Sequence, residues 1–163
     1  MTSDLSKIKN IRSKKKFTIS LAESCTGGMI SKYLTSVKGS SLFFNGACIS
    51  YSNQMKIRLL EVSKNTIINY GAVSHQTALA MVKGLKKITD SEILLSVTGV
   101  AGPSGGTLRT PVGCVFFGIG SKINKKYTFK TAKKIFHEKT RHAIQKKSTE
   151  YAMYLILKEL KKI

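Results

Sequence analysis

Ser24 sits in Ala22-Glu23-Ser24-Cys25-Thr26-Gly27-Gly28, between an apolar alternation at Phe17, Ile19 and Leu21 and the helically spaced Met29, Ile30, Tyr33 and Leu34. A hydroxyl at such a strand-to-helix turn lies beside backbone N–H groups at the positive end of a helix, where an oxyanion is stabilised. The plainer reading of the same residues is a helix cap followed by a tight turn. A second glycine-rich stretch, Thr98-Gly99-Val100-Ala101-Gly102-Pro103-Ser104-Gly105-Gly106, also follows an apolar run. Neither stretch is a Walker loop or a dinucleotide fingerprint, so the chemistry in view is nucleophilic. A serine nucleophile needs a base. His75 opens a surface helix, and His137 and His142 lie far along the C-terminal segment, whereas Lys56 stands about one helical turn beyond the end of a second apolar strand.

To act as a base, Lys56 must be neutral. A lysine of ordinary pKa is neutral in only about one molecule in two thousand at pH 7, and lowering its pKa to ~8 takes roughly 3 kcal/mol of desolvation or like-charge repulsion. Cys25 shares the turn, and a thiol at a helix start can be acidified, although a structural role is the reading taken here. Cys25, Cys48 and Cys114 lack the spacing of a zinc site or a disulfide framework.

The elements that must position these groups follow from periodicity. Leu5, Ile8 and Ile11 share one face of a lead-in helix over residues 1–15, and Phe17–Leu21 and Phe43–Ser50 read as strands. Asn53 is expected to cap a short helix with Met55, Ile57, Leu59 and Leu60, a further helical piece runs from Ser63 to Tyr70, and Ser74 caps a longer helix with Ala78, Met81, Val82 and Leu85. A strand at 92–98, a strand at 112–120, a hairpin through 121–126, a strand at 127–130 and a helix over 138–161 complete the chain. Strands alternating with helices, plus one hairpin, predict a single three-layer α/β/α domain over residues 1–163, with a mixed, mostly parallel sheet. Both glycine-rich turns then fall at carboxyl ends of strands, where such folds bind ligands.

The 163 residues suit one domain, and no apolar run is long enough to span a bilayer. No membrane partner is expected, and without a signal-peptide pattern the expected location is cytoplasmic. The 28 Lys and Arg against 8 Asp and Glu give a formal charge of +20, which raises nucleic acid as a partner. Because the lysines are spread over several segments, with no single stripe interleaved with aromatics, compositional bias is the preferred explanation.

Taken together, Ala-Glu-Ser-Cys-Thr-Gly-Gly at 22–28, Gly-Ser-Ser at 39–41, Tyr-Ser-Asn-x-x-Lys-Ile-Arg at 51–58, Gly-Ala-Val-Ser at 71–74, Thr-Gly-Val-Ala-Gly-Pro-x-Gly-Gly from Thr98 and Pro-Val-Gly at 111–113 resemble the CinA carboxy-terminal domain family. The resemblance runs from about Phe17 to Ile119. It implies a nicotinamide-nucleotide amidase, hydrolysing the carboxamide of nicotinamide mononucleotide to nicotinate mononucleotide and ammonia, with no metal and no cofactor. By the same resemblance Ser24 is the nucleophile, Lys56 the general base, Ser41 and Tyr51 assist proton transfer, and Thr98 belongs to the substrate pocket. Cys25, Thr26, Gly27 and Gly28 are expected to supply oxyanion donors, and Gly99, Gly102 and Gly105 to border the substrate. The family pattern Phe-x-Gly-Asp-Arg-x-x-Ile/Val-Arg is replaced by Phe136-His-Glu-Lys-Thr-Arg-His-Ala-Ile-Gln145, so Arg141 matches the substrate-anchoring arginine only with one extra residue. The chain resembles the family's stand-alone form, and a homo-oligomer is expected. The competing class is a CinA-like protein that has lost the chemistry and acts as a basic nucleic-acid-binding or competence- and damage-related protein.

Overall fold

Strand β1 (Ile19–Glu23) is buried at all five positions because it lies between two parallel neighbours. The computed structural model describes residues 2–163. Helix α1 (Thr2–Lys14) precedes β1. It is followed by α2 (Met29–Thr35), a 3-10 turn (Ser40–Leu42), β2 (Phe44–Ile49), α3 (Asn53–Leu60), α4 (Lys64–Tyr70) and α5 (His75–Ile88), then β3 (Ile93–Gly99), β4 (Cys114–Ile123), β5 (Lys126–Ile135) and α6 (Arg141–Leu160). The five strands lie in the order β2-β1-β3-β4-β5. β1 is parallel to β2 and β3, and β4 is antiparallel to β3 and β5. Four strands therefore share one direction, as expected for a mostly parallel mixed sheet, while the neighbour pairs divide evenly.

Successive residues of a strand face opposite sides, so β1 serves two cores. Ile19 and Leu21 join Leu5, Ile8, Ile30, Leu34, Phe117, Met153 and Ile156 under α1, α2 and α6. Ala22 joins Leu60, Met81, Val82, Leu85 and Leu94 under α3 and α5. These are the three expected layers. Among the described residues no helix is long and apolar enough to cross a membrane.

Three boundaries differ from expectation. Ser52, and not Asn53, caps α3, its side chain accepting the Met55 N–H. Thr140 caps α6 by accepting from Ala143 N, which delays that helix to Arg141. The hairpin is tighter and its strands longer than read, with only Asn124 and Lys125 in the turn, at φ 49° and 65°. Two consecutive positive φ values are the signature of a type I′ connection, which asparagine tolerates better than most residues.

Gly84 of α5 lets α3 approach closely: an added Cβ would lie 1.8 Å from the Leu60 carbonyl oxygen. Gly84→Ala gains about 1 kcal/mol of helix propensity, yet the backbone contact must open, and overpacking typically costs about 1–3 kcal/mol. The expected result is a lowered melting temperature in thermal denaturation and weakened activity, because α3 also carries Lys56.

Candidate active site

The parallel register sets Glu23 beside Ile49 and Val97, so the residues that follow, Ser24, Ser50 and Thr98, arrive together at the carboxyl ends of β1, β2 and β3. Glu23 is fully buried, and its carboxylate organises the turn beyond it. It accepts from Thr26 Oγ1 at 2.6 Å, from the backbone N–H groups of Gly28, Ile30 and Ser31 at 3.0, 3.2 and 2.8 Å, and from the Ser31 hydroxyl. A carboxylate at that place satisfies the start of α2 from inside the protein. Gly27 and Gly28, at φ 59° and 95°, provide the left-handed turn that brings the chain round it.

This arrangement corrects one expectation. The Gly28 N–H is spent on Glu23 and the Gly27 N–H on the Ser24 carbonyl, and Thr26, Gly27 and Gly28 do not border the cleft. The anion-stabilising end of α2 is already occupied by an internal anion. Of the expected donors only Cys25 borders the cleft, so its backbone N–H is the remaining candidate for an oxyanion.

Ser24 is 6% exposed and Lys56 2% exposed. The Lys56 Nζ lies 2.9 Å from Ser24 Oγ, 2.9 Å from the Ser50 carbonyl oxygen and 3.4 Å from the Tyr51 carbonyl oxygen. Among the described residues, none of the salt bridges involves Lys56. Burial pushes its pKa below the ordinary lysine value of 10.5, opposed by the neighbouring Cys25. A neutral amine has two N–H donors and one lone pair. With the two carbonyls taking the donors, the lone pair is left for the Ser24 hydroxyl proton, and the protonated amine would donate its third N–H back to the same oxygen. The arrangement thus accommodates both ends of a proton transfer without rearrangement. Cys25, by contrast, is no acidified thiol: burial raises it to about 12, so it stays protonated.

The rim is built from α6 and two loops. Arg141 donates from Nη2 to the Tyr51 hydroxyl at 2.6 Å and from Nη1 to the Gly102 carbonyl at 2.8 Å. The extra residue before it therefore does not remove it from the site, because the Thr140 cap starts α6 with Arg141 facing the cleft. One turn on, Gln145 donates to the Cys25 carbonyl at 2.8 Å and ties the serine turn to α6. Sequence reasoning missed Gln145, for which the i, i+4 relation to Arg141 was the available signal. Thr98 is buried and donates to the Ala72 carbonyl at 2.8 Å, fastening the segment before α5 to the end of β3. The cleft encloses about 280 Å³ and is lined by Ser24, Cys25, Tyr51, Lys56, Thr98 and Arg141, with Gly99, Gly102 and Gly105 along its loop side. Asn53, whose expected role was only a cap, also borders it.

Ser41 is not brought to this cleft. It lies exposed in the 3-10 turn before β2. Since β1 and β2 run parallel, the start of β2 is at the opposite end of the sheet from Ser24.

The model of the CinA C-terminal domain matches residues 3–160. A CinA-like protein from Petrotoga mobilis is 46% identical over 145 residues, covering 89% of this chain and 35% of its own length. One from Pseudothermotoga lettingae is 41% identical over 145 residues, covering 89% and 34%. The chain thus spans about a third of the length of the curated relatives it matches. Among solved structures, the competence/damage inducible protein CihA from Agrobacterium tumefaciens is 30% identical with a TM-score of 0.88, over 95% of this chain and 92% of that one. The competence damage-inducible protein A from Klebsiella pneumoniae is 24% identical with a TM-score of 0.87, over 97% and 95%, a likeness of fold. The chain belongs to the CinA C-terminal domain family.

Proposed function

We propose that this chain is an amidohydrolase that converts nicotinamide mononucleotide to nicotinate mononucleotide and ammonia through a Ser24–Lys56 pair. The observation that carries the reading is the 2.9 Å contact between a buried, carboxylate-free lysine and a buried serine at the mouth of a ligand-sized cleft. Lys56 takes the Ser24 proton as Oγ attacks the carboxamide carbon, and the developing oxyanion turns toward the N–H group of Cys25. The Lys56 ammonium then protonates the amide nitrogen, the C–N bond breaks, ammonia departs and an ester on Ser24 remains. A water deprotonated by Lys56 attacks that ester, and the returning proton restores the serine. Proton magnetic resonance of the pyridine ring tests this directly. The expected outcome is conversion of carboxamide to carboxylate with the glycosidic bond intact, and release of free nicotinamide would overturn it.

Arg141 is the guanidinium in the cleft, and a bidentate arginine is well suited to a mononucleotide phosphate. In this reading it exchanges its bonds to Tyr51 and Gly102 for phosphate oxygens. Arg141→Ala is expected to raise KM by about tenfold or more while changing kcat little, the signature of lost uniform binding. It should also narrow the preference for the mononucleotide over its phosphate-free riboside. An unchanged preference in steady-state kinetics would assign the phosphate to another group.

A further inference from the structure

Strand β5 is an edge of the sheet, and its side toward α5 carries a row of aromatic and basic groups, none of which lines the cleft. Tyr127 and Phe129 stack with centroids 5.8 Å apart and planes 11° from parallel. Lys86 and Lys122 each place Nζ 5.8 Å from the Tyr127 ring, Lys83 lies 6.0 Å from Phe129, and Lys133 lies 5.4 Å from Phe116. Between these pairs His75 meets Phe116 edge-on at 4.7 Å and accepts or donates a hydrogen bond with Thr131. Lysines that the sequence scatters over α5, β4 and β5 are thus gathered into one stripe with aromatics between them. Asp90, bonded to Lys122 and the Tyr127 hydroxyl, is the carboxylate at its hairpin end. Lys83, Lys86 and Lys133 enter none of the salt bridges among the described residues, and all three are exposed.

We propose that this α5–β5 groove is a track for a single-stranded nucleic acid. An ammonium held over a ring face loses part of its rotational freedom before binding, so a row of them meets successive phosphates at a reduced entropic cost. The open edge of β5 presents backbone N–H and C=O groups that pair with nothing in the sheet, available to the base edges of an unstacked strand. The shape decides against a lipid surface. Tyr127 and Phe129 are half-buried and Phe116 is buried, so the rings beneath the lysines do not project as anchors, and the charges follow a line along one groove instead of a plane.

Fluorescence anisotropy with a labelled mixed-sequence oligonucleotide tests the proposal. Lys83→Gln/Lys86→Gln/Lys133→Gln is expected to weaken binding by about tenfold or more and to reduce the log–log salt slope by about 2, at roughly 0.7 per phosphate contact of a single strand. The matched control, Lys9→Gln/Lys146→Gln/Lys158→Gln, removes the same charge from exposed positions of α1 and α6 on the other face. It should retain nearly full affinity. Equal weakening by both variants, tighter binding to duplex than to single strand, or binding to phosphatidylserine vesicles but not to the oligonucleotide would each overturn the track. Nicotinamide mononucleotide should not displace the oligonucleotide, since none of Lys83, Lys86 and Lys133 lines the cleft, and displacement would contradict the assignment of this surface. The outcome does not depend on the amidase reading.

Discussion

Ser24→Ala is expected to lower kcat for nicotinamide mononucleotide by at least about a hundredfold, with a circular dichroism spectrum and melting temperature close to the wild type. The effect is large because no neighbouring group can substitute. The Cys25 thiol, next along the chain, is raised to about 12 by burial and stays protonated at neutral pH. The Tyr51 hydroxyl is engaged by Arg141 at the rim. The fold should tolerate the change, since the turn around Ser24 is held by the Glu23 carboxylate and by the Gln145 contact to Cys25, neither of which uses the Ser24 hydroxyl. A Ser24→Ala enzyme that kept most of its kcat would remove the covalent step from the mechanism.

Lys56→Arg is expected to fall as far and not to be rescued at any pH below about 11, because a guanidinium with a pKa above ~12 stays protonated and cannot take the Ser24 proton. In the wild type, burial lowers the Lys56 pKa from 10.5, so its base form appears at a lower pH than in an exposed lysine. The rate is expected to rise with pH along one limb and to level once Lys56 is neutral. The sign for stability is the same. A lysine depressed in the folded state makes its full contribution above 10.5 and loses it as pH falls through the folded value, because the unfolded chain then binds the proton more readily. Lys56→Gln, which fits the site with less strain, should share the kinetic defect. A flat wild-type rate from pH 6 to 9, together with near-full activity in Lys56→Arg, would reduce the lysine to an electrostatic contact.

The strand-turn-helix around Ser24 was legible because a buried parallel strand and an amphipathic helix leave different spacings on either side of a small-residue turn. The Lys56 position was legible from its motif, and the structure places it against Ser24. What could not be read was how the charges are spent. Glu23 is an ordinary acidic residue in sequence, yet its burial makes it the internal cap of α2 and removes Gly28 from any role toward an anion. Ser41 was carried over from a motif, but the parallel pairing of β1 and β2 puts it at the opposite end of the sheet. β5 was cut short because a lysine-rich edge strand has little apolar alternation: residues 130–135 pair with β4 through backbone bonds while Lys130, Lys133, Lys134 and Ile135 are exposed. The lysine stripe escaped notice for a related reason, since its members come from α5, β4 and β5 and meet only once the sheet has formed.

Ammonia released from nicotinamide mononucleotide by purified, folded protein, with EDTA present, is the measurement closest to the central claim that a Ser24–Lys56 pair hydrolyses this carboxamide. The account predicts steady turnover that EDTA does not change and that Ser24→Ala abolishes in a parallel sample. No ammonia from a wild-type sample with a cooperative thermal transition, or ammonia released equally by Ser24→Ala, would contradict it.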